Sequence, residues 1–170
     1  MNRASSLLAL SLVATTAVSA APTLTAQSAQ AATPAVRITT WQADYGGTKV
    51  KDEPATNATL NGEYLAIANT TKKPVALGGY RVEDRGAIHR YTFPKGFVLA
   101  AGKSVVLHSG QGKTTAAHAY WGQSVRGAKP VSRNGYIWNN TGDTATLRSS
   151  TGAVVHTCTY KKVASGRKVC

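Results

Sequence analysis

Past residue 35 the chain alternates apolar and polar positions with a period of two, the mark of half-buried strands. Val36, Ile38 and Thr40 alternate with Arg37, Thr39 and Trp41, which predicts a first strand. Residues 44–58 are polar, bear glycine and Pro54, and read as a long loop. Residues 63–69 predict a second strand, with Leu65 and Ile67 on one face and Tyr64, Ala66 and Ala68 on the other. Apolar character on both faces places that strand centrally in its sheet. Tyr80, Val82 and Asp84 alternate with Arg81 and Glu83; a tight turn at Asp84-Arg85-Gly86 then leads to 89–93, together a predicted hairpin that Pro94 stops. Val105 and Leu107 share one face of the stretch 104–108. Residues 109–137 read as loop-rich. Residues 144–148 point Ala145 and Leu147 inward, Ser150-Thr151-Gly152 turns the chain, and a last strand runs from about 153 to Tyr160. No helical period is visible after the first 31 residues. About seven or eight short strands separated by turn signals predict an all-β sandwich or barrel.

The amino terminus carries a different pattern. Arg3 precedes an apolar run of small and aliphatic residues from 7 to 21, and Ala29-Gln30-Ala31 offers a signal peptidase its A-x-A site. Cleavage is expected after Ala31, with a cut after Ala20 as the alternative, so residues 1–31 read as a signal peptide and 32–170 as one domain. The apolar run is too short and too diluted for a span, which needs roughly 20 predominantly apolar residues. No later stretch is apolar enough to cross a bilayer. The remaining 139 residues (170 − 31) suffice for a single core.

Export changes the meaning of the two cysteines, Cys158 and Cys170. In an oxidising compartment they are expected to form a disulfide that ties the tail to the last strand. Closing so small a loop is worth about 3 kcal/mol in the chain-entropy view. Removal of Arg3 leaves 19 Lys and Arg against 7 Asp and Glu, a charge of 19 − 7 = +12. Such a field attracts polyanions. Candidate contacts are Lys72, Lys73, Arg126, Lys129, Arg133, Lys161 and Lys162, although scattered bases also serve solubility.

Catalytic motifs are missing. Gly110-Gln111-Gly112-Lys113-Thr114 resembles the end of a phosphate-binding loop, but the glycine that opens such a loop is replaced by Leu107 and no helix follows. His89, His108, His118 and His156 form no dense ligand motif, although strand pairing could gather two of them. There is no G-x-S-x-G nucleophile elbow. The acids sit mostly at turns, where Asp44, Asp84 and Asp143 are expected to bind backbone amides rather than flank a scissile bond. The expectation is no catalytic residue, no cofactor and no metal. Trp41, Trp121 and Trp138 are expected in the core.

Several motifs resemble those of a known family. Residues 60–69 resemble an E-x-[IV]-x-[IL]-x-N strand running from Glu63 to Asn69, with Leu65 where a β-branched residue is usual. Leu77-Gly78-Gly79-Tyr80 resembles L-x-G-[WY], and Tyr91-Thr92-Phe93-Pro94 resembles Y-x-F-P. Residues 99–107 resemble L-x-P-G-x-x-[VL]-x-[VL], with Ala101 in place of the proline. The most specific element runs from Trp138 through Asn139, Asn140, Gly142 and Asp143 to Leu147 and resembles W-N-N-x-G-D-x-[AV]-x-L. These are marks of the lamin tail domain in its secreted bacterial form, over roughly residues 36–160. The resemblance implies an immunoglobulin-like antiparallel β-sandwich without enzymatic activity of its own. It also implies that Glu63, Asn69, Gly79, Trp138, Asn139, Asn140, Gly142 and Asp143 are a structural signature. The expected function is a secreted binding or adaptor module, for an extracellular or cell-envelope anionic polymer such as nucleic acid or wall polymer. The alternative is a structural protein–protein interaction domain that holds an envelope protein.

Overall fold

In the computed structural model the described residues are 33–47, 55–123 and 135–170. The expected signal peptide and the basic residues Arg126, Lys129 and Arg133 lie outside them. The alternating stretches become strands β1 (Val36–Gln42), β2 (Tyr64–Asn69), β3 (Val75–Ala76), β4 (Arg81–Glu83), β5 (Arg90–Thr92), β6 (Val98–Leu99), β7 (Ser104–His108), β8 (His118–Tyr120), β9 (Gly142–Arg148), β10 (Val154–Lys161) and β11 (Arg167–Val169). A five-stranded sheet has the order β11-β1-β2-β7-β8, a four-stranded sheet the order β10-β9-β4-β5, and β3 pairs with β6 alone. All pairs are antiparallel except β7–β8. The fold is the expected immunoglobulin-like β-sandwich, and β2 is central in its sheet as its two apolar faces predict.

The core lies between the two larger sheets. Leu65 and Ile67 of β2 with Val105 and Leu107 of β7 face Val82 of β4 and Ala145 and Leu147 of β9. Leu77, Phe93, Phe97 and Leu99 join the same cluster around the small β3–β6 pair, with Phe93 and Phe97 ring centroids 5.0 Å apart. The hairpins at 81–92 and 148–154 have the expected partners: Arg81 opposes Thr92, and Arg148 opposes Val154.

Four details depart from the sequence pattern. Strict alternation in β1 would turn Trp41 away from Ile38, but the register shifts between Ile38 and Thr40. That β-bulge inserts one residue and reverses the facing, so Val36, Ile38 and Trp41 are all buried. The expected loop before β2 ends in a short helix, α1 (Asn57–Gly62). Thr56 and Thr59 form a reciprocal capping box, with Thr59 N donating to Thr56 Oγ1 at 3.1 Å and Thr56 N to Thr59 Oγ1 at 2.9 Å. At six residues α1 is too short to display a helical period. β8 forms within the stretch read as loop. The tail beyond β10 is itself a strand, β11, on the free edge of β1.

Candidate polyanion-binding surface

The five carboxylates among the described residues all point inward. Asp44, Glu63, Glu83, Asp84 and Asp143 are each at most 5% exposed. Each is used to hold the fold. Asp143 Oδ1 accepts from the amides of Thr144 at 2.7 Å and Arg85 at 3.1 Å, and its Oδ2 from Asn139 at 3.0 Å. Asp84 accepts from the His89 amide at 2.9 Å and faces the His89 ring Nδ1 at 2.8 Å. Asp44 Oδ1 accepts from Asn140 Nδ2 at 3.2 Å. Glu63 follows α1, and its Oε2 accepts from the Ile137 amide at 3.0 Å. Glu83 accepts from Arg148 Nε at 2.7 Å and Arg90 Nε at 2.8 Å. Burial raises the Glu83 pKa, but the hydrogen bonds and charges of Arg148 and Arg90 outweigh it and hold the carboxyl below its ordinary value. Asp84 and Asp143 therefore bind backbone amides as their sequence context predicts, whereas Asp44 accepts from the side-chain amide of Asn140.

Eight of the solvent-facing cations gather in two groups. At one end of β1, Lys161 closes β10, Lys162 follows it into a turn, and Arg167 and Lys168 open β11; all four are exposed. The turn is drawn against the end of β1: the amides of Ala43 and Asp44 donate to Gly166 O at 2.9 and 3.3 Å, and Gln42 Nε2 donates to Ser165 O at 3.0 Å. Gly166 has φ +65°, and a β-carbon there would overlap the Asp44 carbonyl oxygen, so only glycine fits this approach. The exposed Arg85 guanidinium lies beside Gly142, the cross-strand partner of Lys161. At the other end of β1, Asn69 N donates to Lys103 O at 2.9 Å and Gly102 N to Thr71 O at 3.2 Å. Those bonds bring exposed Lys103 beside the turn that carries exposed Lys72 and Lys73. The two groups are separated by the length of β1, about 20 Å for seven residues. None of these eight cations enters an ion pair among the described residues. Arg85 and Lys103 were not singled out in the sequence, because they join the named lysines only through contacts between segments distant along the chain.

The covalent link beside the larger group is the expected one. Cys158 of β10 and Cys170, just past β11, are disulfide-bonded with Cα atoms 5.8 Å apart. The bridge fastens the four-stranded sheet to the edge of the five-stranded one.

The signature residues also have structural tasks. Asn69 is buried, and its Nδ2 donates to Lys73 O, Leu99 O and Ala100 O at 2.8–3.1 Å while its Oδ1 accepts from Thr71 N and Oγ1. Gly79 adopts φ +80° where the chain turns into β4. Trp138 is buried with Trp41. Trp121 is partly buried, and its ring lies 5.7 Å from Trp138.

Strand pairing gathers two of the four histidines, His108 and His118, whose facing ring nitrogens are 3.1 Å apart. His89 sits with Asp84 and His156 near Arg37. Among the described residues no three His, Cys, Asp or Glu side chains converge as a metal-binding group. The stretch 110–114 is a loop tied to α1 by Asn57 and Asn61, which both donate to Gln111 O, and it leads into β8 rather than into a helix. An open recess of about 580 Å³ beside Phe93 and Phe97 has Lys95 as its one ionisable lining residue. It therefore lacks a carboxylate or histidine for acid–base chemistry. No described helix is long and apolar enough to cross a membrane.

Comparison with known proteins agrees with these features. The family model described as Lamin Tail Domain matches residues 29–162. No curated protein matches the chain.

Proposed function

The chain belongs to the lamin tail domain family, and from that premise we propose that it is a secreted, noncatalytic module that binds an extracellular or cell-envelope polyanion, nucleic acid or wall polymer. The observation that carries this reading is the separation of charge signs. Every described carboxylate is buried, while the lysines and arginines at both ends of β1 face solvent. Cations thus dominate the described surface, in keeping with the net charge of +12 (19 − 7). Two cationic groups about 20 Å apart suit an extended polymer better than a small anion. Export is supported by the signal-like residues 1–31 and by the Cys158–Cys170 bridge, which persists in oxidising compartments. The family is noncatalytic and immunoglobulin-like. Here the acids that a hydrolase would need are engaged as acceptors for backbone amides and arginines.

The test is a salt-series titration of the full chain against duplex DNA, single-stranded DNA, a polyphosphate wall polymer and a neutral glycan. The expected result is binding to one polyanion whose logarithm of affinity falls linearly with the logarithm of salt, by about 0.9 per phosphate contacted on a duplex. Binding that ignores salt, or none, overturns the proposal and directs attention to a protein partner.

A further inference from the structure

His108 and His118 meet on the outer face of the five-stranded sheet. In the parallel β7–β8 pair His108 lies opposite Tyr120 and His118 opposite Val106, so the histidines are diagonal neighbours. Their neighbours along each strand, Leu107 and Ala119, are buried, which turns both imidazoles away from the core. The backbone fixes both positions. Val106 N donates to Ala117 O at 2.9 Å, Trp121 N to His108 O at 2.8 Å, and Thr115 closes a turn on His118 through its own amide at 2.8 Å. Thr115 Oγ1 also accepts from His118 N at 3.1 Å.

The tautomer of His108 follows from its partners. Its Nδ1 lies 2.9 Å from Asn61 O, which only accepts, so Nδ1 carries the proton and Nε2 the lone pair. That lone pair faces His118 Nδ1 at 3.1 Å. Tyr120 backs the His108 ring, with centroids 5.1 Å apart and planes 19° from parallel. A histidine whose second nitrogen donates to a backbone carbonyl is oriented as metal-ligating histidines are.

We propose that His108 Nε2 and His118 Nδ1 together ligate one divalent late transition-metal ion of the zinc, copper or nickel class, with water filling the remaining positions. Two metal–nitrogen bonds of about 2.0–2.1 Å spanning this separation subtend an angle of about 100°, between the square-planar and tetrahedral values. In the metal-free pair the His118 Nδ1 proton lies between the two nitrogens. On binding, the exposed His118 ring tips so that both lone pairs converge, and its proton passes through water to its own Nε2. Both ligands are then neutral, and no net proton is released. Neutral imidazoles favour late transition metals over calcium or magnesium, which prefer oxygen. The other histidines are poorer ligands: His89 is engaged by Asp84, and the Arg37 charge near His156 repels a cation.

The test is calorimetric titration of the full chain, free of any histidine tag, with zinc and nickel chlorides, and with calcium chloride as control. The expected result is one zinc or nickel ion per chain, with affinity reduced about tenfold or more in His118→Ala and unchanged in His156→Ala. Zinc should also shift the ring-proton resonances of His108 and His118 and leave those of His89 in place. His118 is exposed, so a thermal melt like that of the parent should accompany the loss. Saturable binding that survives His118→Ala, binding of calcium with equal strength, or no saturable binding of zinc or nickel overturns the proposal.

Discussion

Trp138 meets Trp41 edge-on inside the sandwich, with ring centroids 4.7 Å apart and planes at 71°. Trp41 comes from β1 of one sheet, and Trp138 lies just ahead of β9 of the other, so the contact locks the two layers together. Tyr160 packs on Trp41 at 5.7 Å from the second sheet.

Trp138→Ala should cost about 3–5 kcal/mol, the range for removing a buried large aromatic side chain. Trp138→Phe, which keeps much of the volume, should cost clearly less. Urea unfolding of the three proteins measures both. Equal stability of Trp138→Ala and the parent would show that the paired indoles do not hold the sheets.

Asp143→Ala leaves the amides of Arg85, Asn139 and Thr144 without their shared acceptor. Hydrogen bonds to a charged group are worth about 1.5–3 kcal/mol each, and partial hydration of this turn offsets some of that, so a total loss of about 3 kcal/mol is expected. Asp143→Asn keeps one acceptor oxygen and should fall between the parent and Asp143→Ala. Chemical denaturation checks the order.

Reducing the Cys158–Cys170 bridge, or replacing both cysteines by serine, should destabilise the domain by about 2–4 kcal/mol. The edge strand β11 should also lose amide protection, because the bridge anchors its end. Hydrogen exchange with and without reductant reads the second effect directly.

Stability should decline on acidification in two stages. Burial lowers the pKa of both His108 and His156, reinforced by the charge of His118 in one case and Arg37 in the other. The unfolded chain therefore takes up protons near the ordinary histidine value of 6.5 before the folded chain does. Stability is full above that pH and falls as pH drops toward the folded values. A second loss follows below about 4.5, as protonation of Glu83 through its lowered folded pKa removes its pairing with Arg148 and Arg90. Urea midpoints from pH 8 to pH 4 measure the profile. A flat midpoint between pH 8 and pH 5 would contradict the histidine stage, and His156→Gln should shallow it.

The double change Lys162→Glu and Lys168→Glu should reduce polyanion affinity and flatten its salt dependence, with little change in melting temperature, because both side chains are exposed. Salt-series titrations of parent and variant provide the comparison. An unchanged salt slope would move the contact surface to the group around Lys72, Lys73 and Lys103.

Much of this molecule is legible along the chain. Alternation in residues 63–69 and 144–148 marks the central β2 and the core-facing side of β9, since the period of a strand is local and each face needs only its own apolar residues. The turn chemistry of Asn139, Asn140, Gly142 and Asp143 marks the entry into β9 for the same reason. Two cysteines downstream of a signal-like leader point to their bridge. The inward facing of Trp41 was not legible, because a single inserted residue at the β1 bulge reverses it, and the bulge is set by pairing with β2. Nor were the His108–His118 pair, the burial of every described carboxylate, or the joining of Arg85 to the lysines at the end of β10. The sequence by itself determined most of the strands and turns, the net charge and the family. Only the tertiary structure decided which charges face solvent and which side chains meet, because those depend on register between segments far apart in the chain, and register is chosen by the whole core at once.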